Sequence, residues 1–115
     1  MEENKNVRRL EKLVATAANL AGLIDYQEGA VVSRIVIGKS AGTVTLFAFD
    51  KGQTLSEHTT PYDALVCALD GKAEFAVSGK PHLLQAGEAI ILPASEPHSV
   101  GALTKFKMLL VMIRS

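Results

Sequence analysis

The sequence predicts an all-β domain, a sandwich or barrel built from short strands. Short runs of apolar, often β-branched residues recur from Val31 to Ile113, and turns containing Gly or Pro separate them. No long helical pattern intervenes between these runs, which excludes a βαβ architecture. The chain has 115 residues, a size that closes one core without disulfide staples.

Taken in order, residues 1–28 form a tail and a short helical segment, and residues 29–115 form the β domain. Within the first part, Leu10, Leu13, Val14, Ala17, Leu20, Ala21 and Ile24 recur at helical spacing, with Gly22 weakening the end. This segment is expected to cover one edge or mouth of the sheets. Strands are then expected over Val31–Ile37, Thr43–Phe49, Ala64–Leu69, Ala73–Val77, His82–Leu84, Ala89–Leu92, Ser99–Ala102 and Phe106–Ile113. Gly38 to Gly42, Asp50-Lys51-Gly52, Asp70-Gly71 and Ser78-Gly79-Lys80 supply turns, and Pro93 closes a strand because it cannot donate to a ladder. Leu65–Leu69 and Met108–Ile113 are apolar on both faces. One face lines the interior, so the other needs a second cover, either the N-terminal segment or a second subunit, and a homodimer is expected.

Composition narrows the function classes. Twelve basic residues balance twelve acidic ones, which gives no concentrated positive surface for nucleic acid. No apolar run approaches the roughly 20 residues that cross a bilayer, and the polar N-terminus lacks a secretory pattern. A cytoplasmic location is expected. Cys67 is the only cysteine; it has no internal disulfide partner and reads as a small apolar side chain. No nucleophilic triad, phosphate loop or dinucleotide fingerprint is present.

Two segments carry the chemistry. The first is Gly52-Gln53-Thr54-Leu55-Ser56-Glu57-His58-Thr59-Thr60-Pro61-Tyr62-Asp63-Ala64, continuing to Asp70-Gly71. The second runs from Gly79 to His98 and holds Gly87-Glu88 and Pro93-Ala94-Ser95-Glu96-Pro97-His98. In order and spacing they resemble the two motifs of the cupin family, over roughly Ser33 to Ile113. The resemblance implies a jelly-roll barrel, the double-stranded β-helix, with His58 and His98 facing its cavity. Metal-binding cupins generally use three histidines and one glutamate. Here Thr60 stands at the second histidine position, Ala64 at the glutamate position, and Ala102 where many members carry Asn. Half of the ligand set is therefore absent.

Two imidazoles hold a divalent ion weakly unless a third ligand joins them. Alternation along a regular strand puts Glu57 and Asp63 off the His58 face, whereas Thr60 and Tyr62 share it. Three readings follow. The first is a small-molecule-binding protein in which His58, His98, Thr60 and Tyr62 orient the ligand, with Phe47, Phe49, Cys67 and Met108 as candidate walls. The second is a metal-dependent oxygenase or isomerase holding Zn, Fe, Mn or Ni on His58 and His98 with waters, and with Asp63 joining them if Pro61 interrupts the strand and changes its parity. The third is a structural or protein-binding module that uses its doubly apolar strands. His82, in Lys80-Pro81-His82, reads as a solvated surface residue, and Asp63 and Glu96 as rim residues.

Overall fold

The computed structural model describes residues 8–114 and consists of two antiparallel sheets. Ten strands occur among them: β1 (Arg8–Arg9), β2 (Val31–Lys39), β3 (Gly42–Phe49), β4 (Thr54–His58), β5 (Asp63–Asp70), β6 (Lys72–Val77), β7 (Lys80–Gln85), β8 (Ala89–Leu92), β9 (His98–Ala102) and β10 (Phe106–Ile113). One sheet has the order β1-β2-β3-β10-β5-β8, and the other β4-β9-β6-β7. The β-branched and apolar runs form strands as expected. The pairs β2–β3 and β6–β7 are hairpins, whereas most other pairings join strands distant in sequence.

Alternation divides β10 cleanly. Phe106 and Met108 are buried and belong to a core that takes residues from both sheets, including Phe49, Val66, Phe75, Leu84, Leu92 and Val100. Three rings anchor this core. Phe106 lies 5.9 Å from Phe49 between centroids, tilted at 54°, and 6.1 Å from Phe75, edge-to-face at 68°, the kind of arrangement that aromatic quadrupoles favour over a face-to-face stack.

The other face of the six-stranded sheet has its own cover. Ile24, Val36, Leu46 and Ala48 form a second buried cluster, with Leu10, Leu13, Leu20, Leu23 and Leu109 packed against it. The N-terminal segment is therefore a strap across this face, and the short helix expected there is corrected. It consists of β1 and two one-turn 3-10 helices, Glu11–Leu13 and Leu20–Leu23. An isolated helix this short is marginal in water, and here sheet contacts override its propensity. The Lys107 Nζ donates to the Ala21 carbonyl at 2.6 Å, and the Arg34 Nη1 donates to the Leu23 carbonyl at 2.7 Å. The Tyr26 hydroxyl donates to Asp70. The lysine and arginine bonds fix the strap at carbonyls that a continuous helix would have used internally, and the tyrosine bond ties its end to β5. Residues 1–7 of the expected tail lie outside the described residues.

Asp70-Gly71 is not a hairpin turn. β5 and β6 belong to different sheets, so Gly71 turns the corner between them at φ +77°, and a Cβ there would lie 1.8 Å from the Lys105 carbonyl oxygen. Gly79, at φ +80°, has nothing within 4 Å of its added Cβ. Gly79→Ala is therefore expected to cost about 1 kcal/mol from backbone strain alone. Gly71→Ala adds a backbone collision and is expected to cost about 3 kcal/mol or more. Urea unfolding of the two variants checks this; equal midpoints would contradict the close approach.

Candidate functional site

The two histidines meet because they are direct cross-strand partners. β4 pairs antiparallel with β9, and the register sets His58 opposite His98, with an irregularity between Leu55 and His58. The ring centroids lie 4.3 Å apart at 71°, and the Nε2 atoms are 3.1 Å apart. His58 is exposed and His98 is 7% exposed, so the pair reaches from solvent into the space between the sheets.

Backbone contacts assign the ring protons. The His58 Nδ1 lies 2.8 Å from the Ser56 carbonyl oxygen, and the His98 Nδ1 lies 3.2 Å from that of Glu96. A carbonyl oxygen only accepts, so each Nδ1 carries its hydrogen. In the neutral rings each Nε2 then presents a lone pair, and the two lone pairs face each other. One shared proton relieves that repulsion. A cation bound by both nitrogens also does so, and 3.1 Å is close to the spacing of two imidazoles each about 2.1 Å from one ion. A second proton is opposed. Burial holds the His98 imidazole below its ordinary value, and the His58 charge adds to this, while the Glu96 carbonyl acts the other way.

The loop before β9 is clamped from several sides, which sets His98. The Ala94 N–H donates to Asp63 Oδ1 at 2.8 Å, and the Ser95 N–H donates to the Thr60 carbonyl at 2.6 Å. Ser78 donates to Glu96 Oε1 at 2.8 Å through its hydroxyl and to the Pro97 carbonyl at 2.8 Å through its N–H. Asp63 and Glu96 thus work as loop anchors. Ser95 adopts a left-handed φ of +66° and turns the chain within this clamp.

A pocket opens beside the pair. Its polar lining is His58, His98, Thr60 and Ser99, and its walls include Phe47, Leu55, Val66, Phe75, Met108 and Met112. About 60 Å³ is free for the centres of water-sized molecules, room for a few waters or a fragment of a few heavy atoms. Of the residues singled out in the sequence, His58, His98, Thr60, Phe47 and Met108 come together here. Tyr62 does not line the pocket: its ring packs under the Arg114 guanidinium at 5.8 Å, and its carbonyl accepts from the Thr60 hydroxyl at 3.0 Å. Phe49 is part of the closed core, Cys67 pairs with Leu109 on the opposite face of the sheet, and His82 is exposed on β7. Sequence reasoning missed Ser99 and most of the apolar wall, including Leu55, Val66, Phe75, Leu92 and Met112. Strand alternation could have found Met112, four residues after Met108. No third His, Cys, Asp or Glu joins the pair into a metal-holding group among the described residues.

The chain matches the family model described as a cupin domain over residues 45–114. It belongs to the cupin family. Similar solved structures include a conserved protein of unknown function from Streptococcus pyogenes, 28% identical, with a TM-score of 0.89 over 99% of this chain and 98% of that one. A cupin 2 conserved barrel domain protein from Leptotrichia buccalis is 42% identical, with a TM-score of 0.82 over 84% of this chain. This chain spans 47% of that protein's length. A cupin superfamily protein from Desulfitobacterium hafniense, 24% identical with a TM-score of 0.84, covers 99% of this chain and 100% of its own and shares the fold. No curated protein matches the chain.

The depressed His98 value has a definite sign for stability. The folded cupin binds fewer protons than the unfolded chain once pH falls below the ordinary value of 6.5. Stability present above about pH 6.5 is therefore lost as pH falls from there through the folded value. His98→Gln is expected to flatten this dependence between pH 7.5 and about pH 5, above the carboxylate range. Denaturation midpoints across that window decide it; an unchanged slope in the variant would contradict the assignment.

Proposed function

We propose that this cupin binds a small molecule with an apolar body and one polar head, seated between the two sheets. The observation that carries the reading is the pair of converging Nε2 atoms, 3.1 Å apart, on a pocket walled otherwise almost entirely by apolar side chains. Such pockets bind by excluding water along their walls, and their few polar groups set orientation. His58 and His98 offer a shared proton to an acceptor, and Thr60, whose hydrogen is engaged with the Tyr62 carbonyl, offers only its lone pairs. The free volume limits the seated fragment to a few heavy atoms. In this reading residues 29–115 are the cupin barrel domain that encloses the site, residues 1–28 are its N-terminal tail, whose described part from Arg8 onward straps the sheet, and the chain works in the cytoplasm as a homodimer.

A screen of short-chain carboxylic acids, ketones and phenols by methyl NMR tests the proposal. Ligands are expected to shift the Met108 and Met112 methyls. His58→Ala with His98→Ala is expected to weaken any such ligand at least about tenfold, the equivalent of one or two net hydrogen bonds. Ligands that bind without disturbing either methionine would defeat the reading.

A metal is the second reading, favoured by the two Nδ1 contacts, which leave both Nε2 atoms in the form that ligates. Zn, Fe, Mn or Ni would sit on His58 and His98, with water or substrate completing the set, and would supply a Lewis acid or an oxygen-activating centre. Thr60 and Ala64 provide no strong third donor, so the residues fit a weak site. Titration of untagged protein with Zn(II) and Ni(II) is expected to give micromolar or weaker binding that His58→Ala abolishes. Binding that survives this substitution would remove the metal from the pair.

A further inference from the structure

The outer face of the six-stranded sheet is only partly strapped. Beside the strap, cross-strand register lines up Ile37, Val44, Val111, Leu65 and Ile91 in one row across β2, β3, β10, β5 and β8. Ile37 is 42% exposed, Leu65 37% and Ile91 62%, and Ile113 in the next row is 59% exposed. No charged side chain interrupts the row from Ile37 to Ile91.

We propose that this row is the surface on which a second copy of the chain docks. The inference rests on the homodimer reading above and assigns its face. Area argues for it first. From their fractional exposures, the four named residues present roughly 400 Å² of apolar surface, at the level where a monomer's largest patch is commonly functional. A standard interface takes about 800 Å² from each partner, and a homodimer interface is about 65% apolar, so this patch supplies most of the apolar part. Charge argues for it next. The formal net charge is zero, so two copies do not repel each other over long range. A continuous aliphatic row across five strands also matches an isologous contact better than it matches a peptide, which needs separate side-chain pockets.

The docking row and the binding pocket share strands. Leu65 alternates with Ala64 and Val66, Ile91 precedes Leu92, and Val111 lies between Leu110 and Met112, all pocket-lining residues. Docking a partner therefore stiffens the floor of the pocket from behind.

Light scattering and sedimentation of the full chain at 10–100 μM test both levels, with circular dichroism reporting the fold of each variant. The wild type is expected at twice its 12.3 kDa mass. Leu65→Lys with Ile91→Lys is expected to be monomeric, whereas Leu83→Lys, exposed on β7 of the other sheet, stays dimeric. Ile91→Ser, on a surface position of the edge strand, serves if the double variant does not fold and is expected to raise the dimer dissociation constant at least about tenfold. A monomeric wild type overturns the homodimer reading and the face together. A dimer unaffected by Leu65→Lys with Ile91→Lys, or by Ile91→Ser where that is the folded variant, overturns the face alone.

Discussion

Strand β10 must be buried on both sides, and much of the molecule is organised around that requirement. It lies between β3 and β5 in the larger sheet, with Phe106, Met108, Leu110 and Met112 on one face and Leu109, Val111 and Ile113 on the other. A sheet with two apolar faces is stable only between two covers. The four-stranded sheet supplies the first and closes on the Phe49, Phe75 and Phe106 rings. The strap supplies part of the second, held by Lys107 and Arg34 to its carbonyls. Lys107 thus belongs to the outer face by alternation and yet serves the strap, since its ammonium sits over the Tyr26 ring, 4.8 Å from the centroid, and donates to the Ala21 carbonyl.

The same alternation makes the site. Between the sheets, the inner residues Ala64 and Val66 of β5 and Met108, Leu110 and Met112 of β10 line a small apolar space next to His58 and His98. Antiparallel register brings the two rings together across 40 residues of sequence, and backbone carbonyls two residues before each histidine fix both tautomers. The arrangement pre-organises two nitrogens toward one point without supplying further donors. That is a geometry for holding a proton or a polar ligand atom, and it is an incomplete geometry for a tightly held metal.

Much of this architecture is legible in the amino-acid order, because it depends on local pattern. The β-branched runs, the turn glycines and the two histidine-bearing motifs are all short-range features, and they suffice for an all-β cupin with an eroded ligand set. The doubly apolar strands Leu65–Leu69 and Met108–Ile113 also announce that one face needs a second cover. Other parts are not local. The helical spacing of Leu10, Leu13, Leu20 and Ile24 is real, but the sheet those residues cover decides their conformation, and two 3-10 turns replace the helix. β1 and β4 escape a strand reading because their stability comes from partners, Gly38 and Ile37 for one and β9 for the other.

Alternation, turns and motif spacing are written along the chain, and they carry the fold class, the family and the identity of the two histidines. Which residues share the pocket is set by tertiary contacts. Pro61 and the irregularity in β4 break the parity that would have aligned Tyr62 with His58, so Thr60 faces inward while Tyr62 pairs with Arg114. Asp63, a carboxylate close to His58 in sequence, is drawn off to the Ala94 amide. Such outcomes depend on contacts between segments far apart along the chain, and a one-dimensional pattern does not encode them.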